Sequence, residues 1–176
     1  WTILGGAIAG QVFGQCPMWH FSNVGGPLCG ASFGQWQDSL NTQGRQSMKH
    51  FGNLVRSRHW WTLSPDTNQV VMTAGQQSGT TYAATSWTTD STSIVAYIPT
   101  SRAVTIDPAS LSGDSIKVWI YNPATGVASD SGARTKASFS ITPPTGDMVL
   151  VVDSEDLNWP QPGQPIKRIK KLMVRK

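Results

Sequence analysis

The sequence predicts a mainly β protein: an antiparallel β-sandwich of about seven strands, preceded by a short strand or loop and one or two helices. Three observations lead there. First, seven short segments rich in Val, Ile, Thr and aromatic residues lie at 69–73, 81–87, 93–98, 103–106, 115–121, 137–141 and 148–153; such side chains pack well on a pleated surface. Second, Gly-, Pro- and Asp-bearing turn signals such as Ser-Gly-Asp and Asn-Pro-Ala-Thr-Gly separate them, and each supplies a positive φ, a fixed φ or an Asx cap. Third, charge is sparse, Glu155 is the only Glu, and Ser and Thr abound. That balance suits a secreted or periplasmic β protein better than a helical cytosolic one.

Taken in order, residues 1–34 are rich in Gly and apolar side chains and read as a short strand and loop that other elements must cover. Gly5, Gly6 and Gly10 do not form a phosphate loop, because no GxGxxG spacing and no following Lys-Ser/Thr accompany them. Residues 35–59 read as helical: Trp36 and Leu40 are four apart, and Met48, Phe51, Leu54 and Val55 recur at helical spacing. Asn41 or Thr42 serves as the N-cap, and Arg56 and Arg58 suit the last turn, where cations complement the helix dipole. A fully buried Phe51 there would make Phe51→Ala cost ~3–5 kcal/mol. The adjacent Trp60 and Trp61 cannot face the same side of an extended joint; one is expected between helix and sandwich, the other over the sheet. The domain organisation is therefore 1–59, then a sandwich over 60–153, then a Pro-rich linker and basic tail over 154–176, expected to be disordered.

The formal net charge of +4 belongs to the tail, which holds six of the 14 basic residues and no acid from Ile166 on. Residues 1–165 keep 8 basic and 10 acidic side chains, a net of −2. A basic nucleic-acid surface is excluded for the globular part, and no apolar run approaches the ~18 residues of a membrane span. Cys16 and Cys29 permit one disulfide in an oxidising compartment, or two unpaired thiols. The chain opens on Trp1, which suggests a processed chain or a piece of a longer one.

Three stretches carry a family resemblance. They run from Gly6 to Phe21 (Gly-Ala-Ile-Ala-Gly-Gln-Val-Phe-Gly-Gln-Cys-Pro-Met-Trp-His-Phe), from Ser57 to Asp66 (Ser-Arg-His-Trp-Trp-Thr-Leu-Ser-Pro-Asp) and from Val118 to Gly126 (Val-Trp-Ile-Tyr-Asn-Pro-Ala-Thr-Gly). Over residues 1–153 the chain resembles the C-terminal third of the apiosidase-like glycoside hydrolases. In that family a (β/α)8 barrel is followed by a small β-sandwich that carries a collagen-binding label. The resemblance implies that residues 1–59 are the last barrel strand, loop and helix. It also implies that the two carboxylates of the barrel sit on earlier strands. Where the family has a His facing the active site, the matching position is Gln11.

Glycoside hydrolysis needs two carboxyl groups flanking the bond. The ten acids stand mostly in turn contexts such as Ile-Asp-Pro and Thr-Gly-Asp, where an Asx cap is the ordinary role. No catalytic residue is assigned. His20, His50 and His59 have no ligand partner at i+2 or i+4, so neither a metal nor a cofactor is expected. The aromatic residues are the stronger lead. Lys117, Trp119 and Tyr121 share one face of a strand, opposite Ile116, Val118 and Ile120. With Trp87 and Trp61 they form the candidate carbohydrate-binding or interface set, with interdomain packing the leading use. The expected partners are a polysaccharide or the catalytic barrel, and the exposed barrel-end surface is a route to oligomers. The function expected is a C-terminal accessory module of a secreted glycoside hydrolase. The alternatives are a stand-alone carbohydrate- or collagen-binding module and a small hydrolase of plant-wall polysaccharide.

Overall fold

The computed structural model describes residues 1–7, 12, 14, 18 and 35–166. The readings at Gln11, His20, Cys16 and Cys29, and those on the tail from Lys167, lie outside the described residues.

Among the described residues nine strands form two antiparallel sheets. They are β1 (Leu63–Pro65), β2 (Met72–Ala74), β3 (Ala84–Thr88), β4 (Ser93–Ile98), β5 (Val104–Ile106), β6 (Ser115–Asn122), β7 (Val127–Thr135), β8 (Phe139–Ile141) and β9 (Met148–Ser154). The larger sheet runs β1-β3-β4-β9-β6-β7 and the smaller β2-β5-β8. Between them Met72, Ile94, Ile98, Ile106, Ile116, Val118, Leu150 and Val152 make the core. The arrangement is a β-sandwich, and period-two alternation builds it. On β4, Ile94, Ala96 and Ile98 face the smaller sheet, while Val95 and Tyr97 face away. All seven residues of β9 are buried, so this central strand is covered on both sides.

Two strands depart from the sequence reading. β7 is built of Val-Ala-Ser-Asp-Ser-Gly-Ala-Arg-Thr, a polar, Gly-bearing run with little β preference. It forms because it is the return arm of a hairpin: it pairs with β6 from Ser115↔Thr135 to Asn122↔Val127, as an edge strand that needs no second apolar face. β1 is likewise an edge, which accommodates Pro65. Residues 69–71 are not strand. The buried Asp66 carboxylate accepts the N–H groups of Val70, Val71 and Met72 at 2.8, 3.1 and 2.8 Å, folding the chain into a capped turn before β2.

Before the sandwich lie a 3-10 turn, Trp36–Asn41, and helix α1, Gln43–Arg56. Thr42 takes the extended N-cap conformation. The helix ends where Ser57 turns back, its N–H bonding to Asn53 and Leu54 carbonyls and its hydroxyl to the Leu54 carbonyl at 2.6 Å.

Candidate functional site

The face of the large sheet that looks away from the smaller sheet carries Val95 and Tyr97 from β4, Val149 and Val151 from β9, and Trp119 and Tyr121 from β6. Water does not cover it; α1 does. Leu54 is buried against Tyr121, Ala128, Val149 and Val151. Phe51 and Val55 pack beside Ile3, Leu4 and Ala84, with Leu63 next to them. Phe51 is half-buried and borders an apolar cavity of about 220 Å³ shared by Trp1, Leu54, Trp60 and Tyr97, so the condition for the full cost of Phe51→Ala is only partly met.

Three polar devices fix α1 to this face. The Tyr121 hydroxyl donates to the His50 carbonyl at 2.9 Å, and Tyr121 itself is 0% exposed. The β6–β7 hairpin presses on the helix: Gln43 donates to the Ala124 carbonyl at 3.2 Å. Asn122 accepts the N–H groups of Ala124 and Thr125, and Gly126 N–H bonds to the Asn122 carbonyl at 2.8 Å. Gly126 has φ +74°, and a Cβ there would overlap the His50 ring at Nδ1. The Asn-Pro-Ala-Thr-Gly pattern is thus the sequence of a turn that leaves room for a helix.

The third device is an ion pair. Beyond the helix, Arg58 points its guanidinium at Asp153 near the end of β9: Nε donates to Oδ1 at 2.8 Å and Nη2 to Oδ2 at 2.6 Å. Both side chains are 2% exposed. Asp153 Oδ1 also accepts the Ser93 hydroxyl at 2.6 Å, and Arg58 Nη1 donates to the Ser57 carbonyl at 2.6 Å. A bidentate charge-assisted pair with a further hydrogen bond on each partner is the arrangement in which a buried pair holds.

The exit segment, read from the sequence as a linker, lies back along the same face over the residues described. Gly163 N–H donates to Ser57 Oγ at 3.1 Å, and Gln161 donates to the Ala128 carbonyl at 2.6 Å. Trp159 meets the Arg58 guanidinium at 5.5 Å and the His59 ring edge-on at 4.9 Å. His59 Nδ1 is 2.6 Å from Asp90 Oδ2. Burial pushes the Asp90 carboxyl up, but hydrogen bonds from His59, Thr92 and Thr88 outweigh it and hold the group below its ordinary value.

Beside the ion pair, a cleft of about 270 Å³ opens between β6, β7 and the exit segment, lined by Lys117, Trp119, Asp130, Glu155, Asn158 and Trp159 among others. Lys117 Nζ is 2.7 Å from Asp130 Oδ2 and 5.3 Å from the Trp119 ring. The hydrogen bond from Lys117, with that from the Gly132 N–H, holds the Asp130 carboxyl below its ordinary value.

Of the sequence-derived candidates, Lys117 and Trp119 share this cleft, whereas Tyr121 lies under α1 and Gly163. Trp87 packs on the inner core between the sheets. Trp60 borders the apolar cavity, while Trp61 is 56% exposed and stacks on His59 at 4.9 Å instead of covering the sheet. Arg58, Asp153 and Trp159 carry no obvious chemical motif. The Ser57-Arg58 pair and the Asp that closes an apolar run were the available signals. Among the described residues no group of three or more His, Cys, Asp or Glu is placed to hold a metal ion, and no helix is long and apolar enough to cross a membrane.

Two family models match the chain. Residues 65–153 match the one described as "Putative collagen-binding domain of a collagenase". Residues 1–62 match the one described as "Apiosidase-like, catalytic domain". No curated protein matches. Among solved structures, a glycoside hydrolase is similar with a TM-score of 0.66 and 23% identity, over 78% of this chain and 31% of that one. A glycoside hydrolase family 5 protein from Bacteroides vulgatus ATCC 8482 is similar with a TM-score of 0.68 and 23% identity, over 83% of this chain and 32% of that one. The chain spans about a third of the length of these structures.

Proposed function

Because the chain belongs to the family described as "Putative collagen-binding domain of a collagenase" and its first 62 residues match an apiosidase-like catalytic domain, we propose that it is the C-terminal accessory module of a secreted or periplasmic glycoside hydrolase. In this reading the sandwich is fastened to the end of a catalytic barrel and moves with it as one body. The observation that carries the reading is the covering of the sheet's outer face. A sandwich standing alone would present that face to water; here a helix from the segment matching the catalytic domain lies on it, fixed by the buried Arg58–Asp153 pair. Interfaces between domains within one chain default to relative motion unless they are large and apolar, and this one is apolar with a buried charge clamp. The partner is therefore the barrel itself, and the polar, Glu-poor composition supports an extracytoplasmic setting.

The test is scanning calorimetry of the longer protein that contains this chain. A single transition is expected, resolving into two or falling for the catalytic part when Asp153 is replaced by Ala. Two independent transitions in the unaltered protein, with a catalytic melting temperature indifferent to deletion of residues 63–166, would overturn the reading.

A further inference from the structure

We propose that the cleft bounded by Trp119, Trp159, Lys117, Asp130, Glu155 and Asn158 is a binding subsite for one neutral pyranose ring. This goes beyond the docking role and does not depend on it.

Size sets the first limit. At about 270 Å³ the cleft lies just below the ~300–1,000 Å³ range of drug-sized pockets, room for one ring rather than a chain. Charge sets the second. Lys117 pairs with Asp130, and Arg58 pairs with Asp153, which leaves Glu155 as the uncompensated charge of the lining. A uronic acid or sulfated sugar would meet that carboxylate and be repelled. An ammonium ligand would meet cations already on the rings, Lys117 at Trp119 and Arg58 at Trp159. A neutral polyol meets neither obstacle. Its hydroxyls can donate to Asp130 and Glu155 and accept from Lys117 and Asn158, while its C–H faces lie on indole.

The two indoles add an independent sign. Among the described residues, four buried side-chain polar atoms lack a hydrogen-bond partner, and two of them are Trp119 Nε1 and Trp159 Nε1. A buried donor without an acceptor is unfavourable, and to find both at one cleft calls for a reason. Both nitrogens are buried, on side chains that line the same cleft. Asn158 turns the chain here with φ +46°, a conformation Asn tolerates better than most residues, just before Trp159.

A single ring gives an affinity on the order of millimolar, so the test must read weak binding at named atoms. The whole 15N-labelled chain is titrated with methyl β-glucopyranoside, methyl β-xylopyranoside, methyl β-galactopyranoside and galacturonate. Indole N–H signals are assigned with Trp119→Phe and Trp159→Phe. Saturable movement of both signals with at least one neutral glycoside is expected, with galacturonate about tenfold weaker. Glu155→Gln, which keeps an acceptor and removes the charge, should narrow that difference several-fold without abolishing neutral binding. No saturable movement of the two signals up to roughly 50 mM of any neutral glycoside, well above the range expected for one ring, would overturn the proposal. So would equal response to galacturonate, or a Glu155→Gln variant that discriminates as before.

Discussion

Asp153→Ala strips Arg58 of two of its three hydrogen-bond partners and leaves a guanidinium that is 2% exposed with only the Ser57 carbonyl. Removing one partner of a buried pair costs ~3–5 kcal/mol, because the other charge stays desolvated. Ser93 loses its acceptor as well, which places the expected loss toward the upper half of that range. For a chain of this size 1 kcal/mol lowers the melting temperature by ~2–4 °C, so a fall of roughly 8–20 °C is expected. Urea unfolding followed by tryptophan fluorescence measures it, with an unchanged denaturant slope showing that the folded surface is the same. The paired variant Arg58→Met with Asp153→Leu removes both charges and keeps apolar volume; it should recover most of the loss, since well-packed apolar replacements of buried pairs are often near neutral. A single-variant loss below ~1 kcal/mol would refute the reasoning, and so would a double variant no better than the sum of its parts.

Gly126→Ala forces a side chain into the left-handed region against His50; a loss of at least ~1–2 kcal/mol and faster amide exchange along α1 are expected, measured by hydrogen exchange. Phe51→Ala should cost ~1.5–2.5 kcal/mol, about half the value for a fully buried ring, because this ring is half-buried at a cavity; denaturant titration decides. Burial, with the hydrogen bond to and the charge of Asp147, pushes the Tyr97 hydroxyl up to about 12. The folded state therefore holds this proton more tightly than the unfolded chain, whose tyrosine titrates near ~10. Its contribution to stability is complete below pH ~10 and disappears as pH rises to about 12. Burial also pushes the Tyr121 hydroxyl up, so ultraviolet titration of tyrosinate should show two late-titrating groups, one of which is missing in Tyr97→Phe, whose stability should also fall less steeply over that window.

What was legible in the sequence followed from period. The branched runs of β4, β6 and β9 announced strands, and Ile116 and Val118 against Trp119 and Tyr121 announced two faces. What was not legible came from partnership at long range. β7 has no apolar signal of its own and exists because β6 offers it a ladder. The Arg58–Asp153 pair joins residues 95 apart, and Arg58 by itself reads as a cation at a helix end. Trp159 sits among prolines that suggest a linker, yet Arg58 and His59 give it a place on the fold. The occupant of the outer face likewise required coordinates, since alternation says which way a side chain points and nothing of what meets it.

The position of β9 in the large sheet has a consequence for synthesis. Of the described strands it is made last, and it lies between β4 and β6, pairing with both. During translation at ~5–20 residues per second, those two strands have no common neighbour until Ser154 has emerged. Only then can the inner core close and the seat for Leu54 be completed by Val149 and Val151. The large sheet waits on seven residues, so the nascent chain passes through an interval in which β1-β3-β4 and β6-β7 are two unjoined parts. A stall or a premature stop in that interval yields unpaired edges and an uncovered helix face, the kind of surface that chaperones hold and proteases remove.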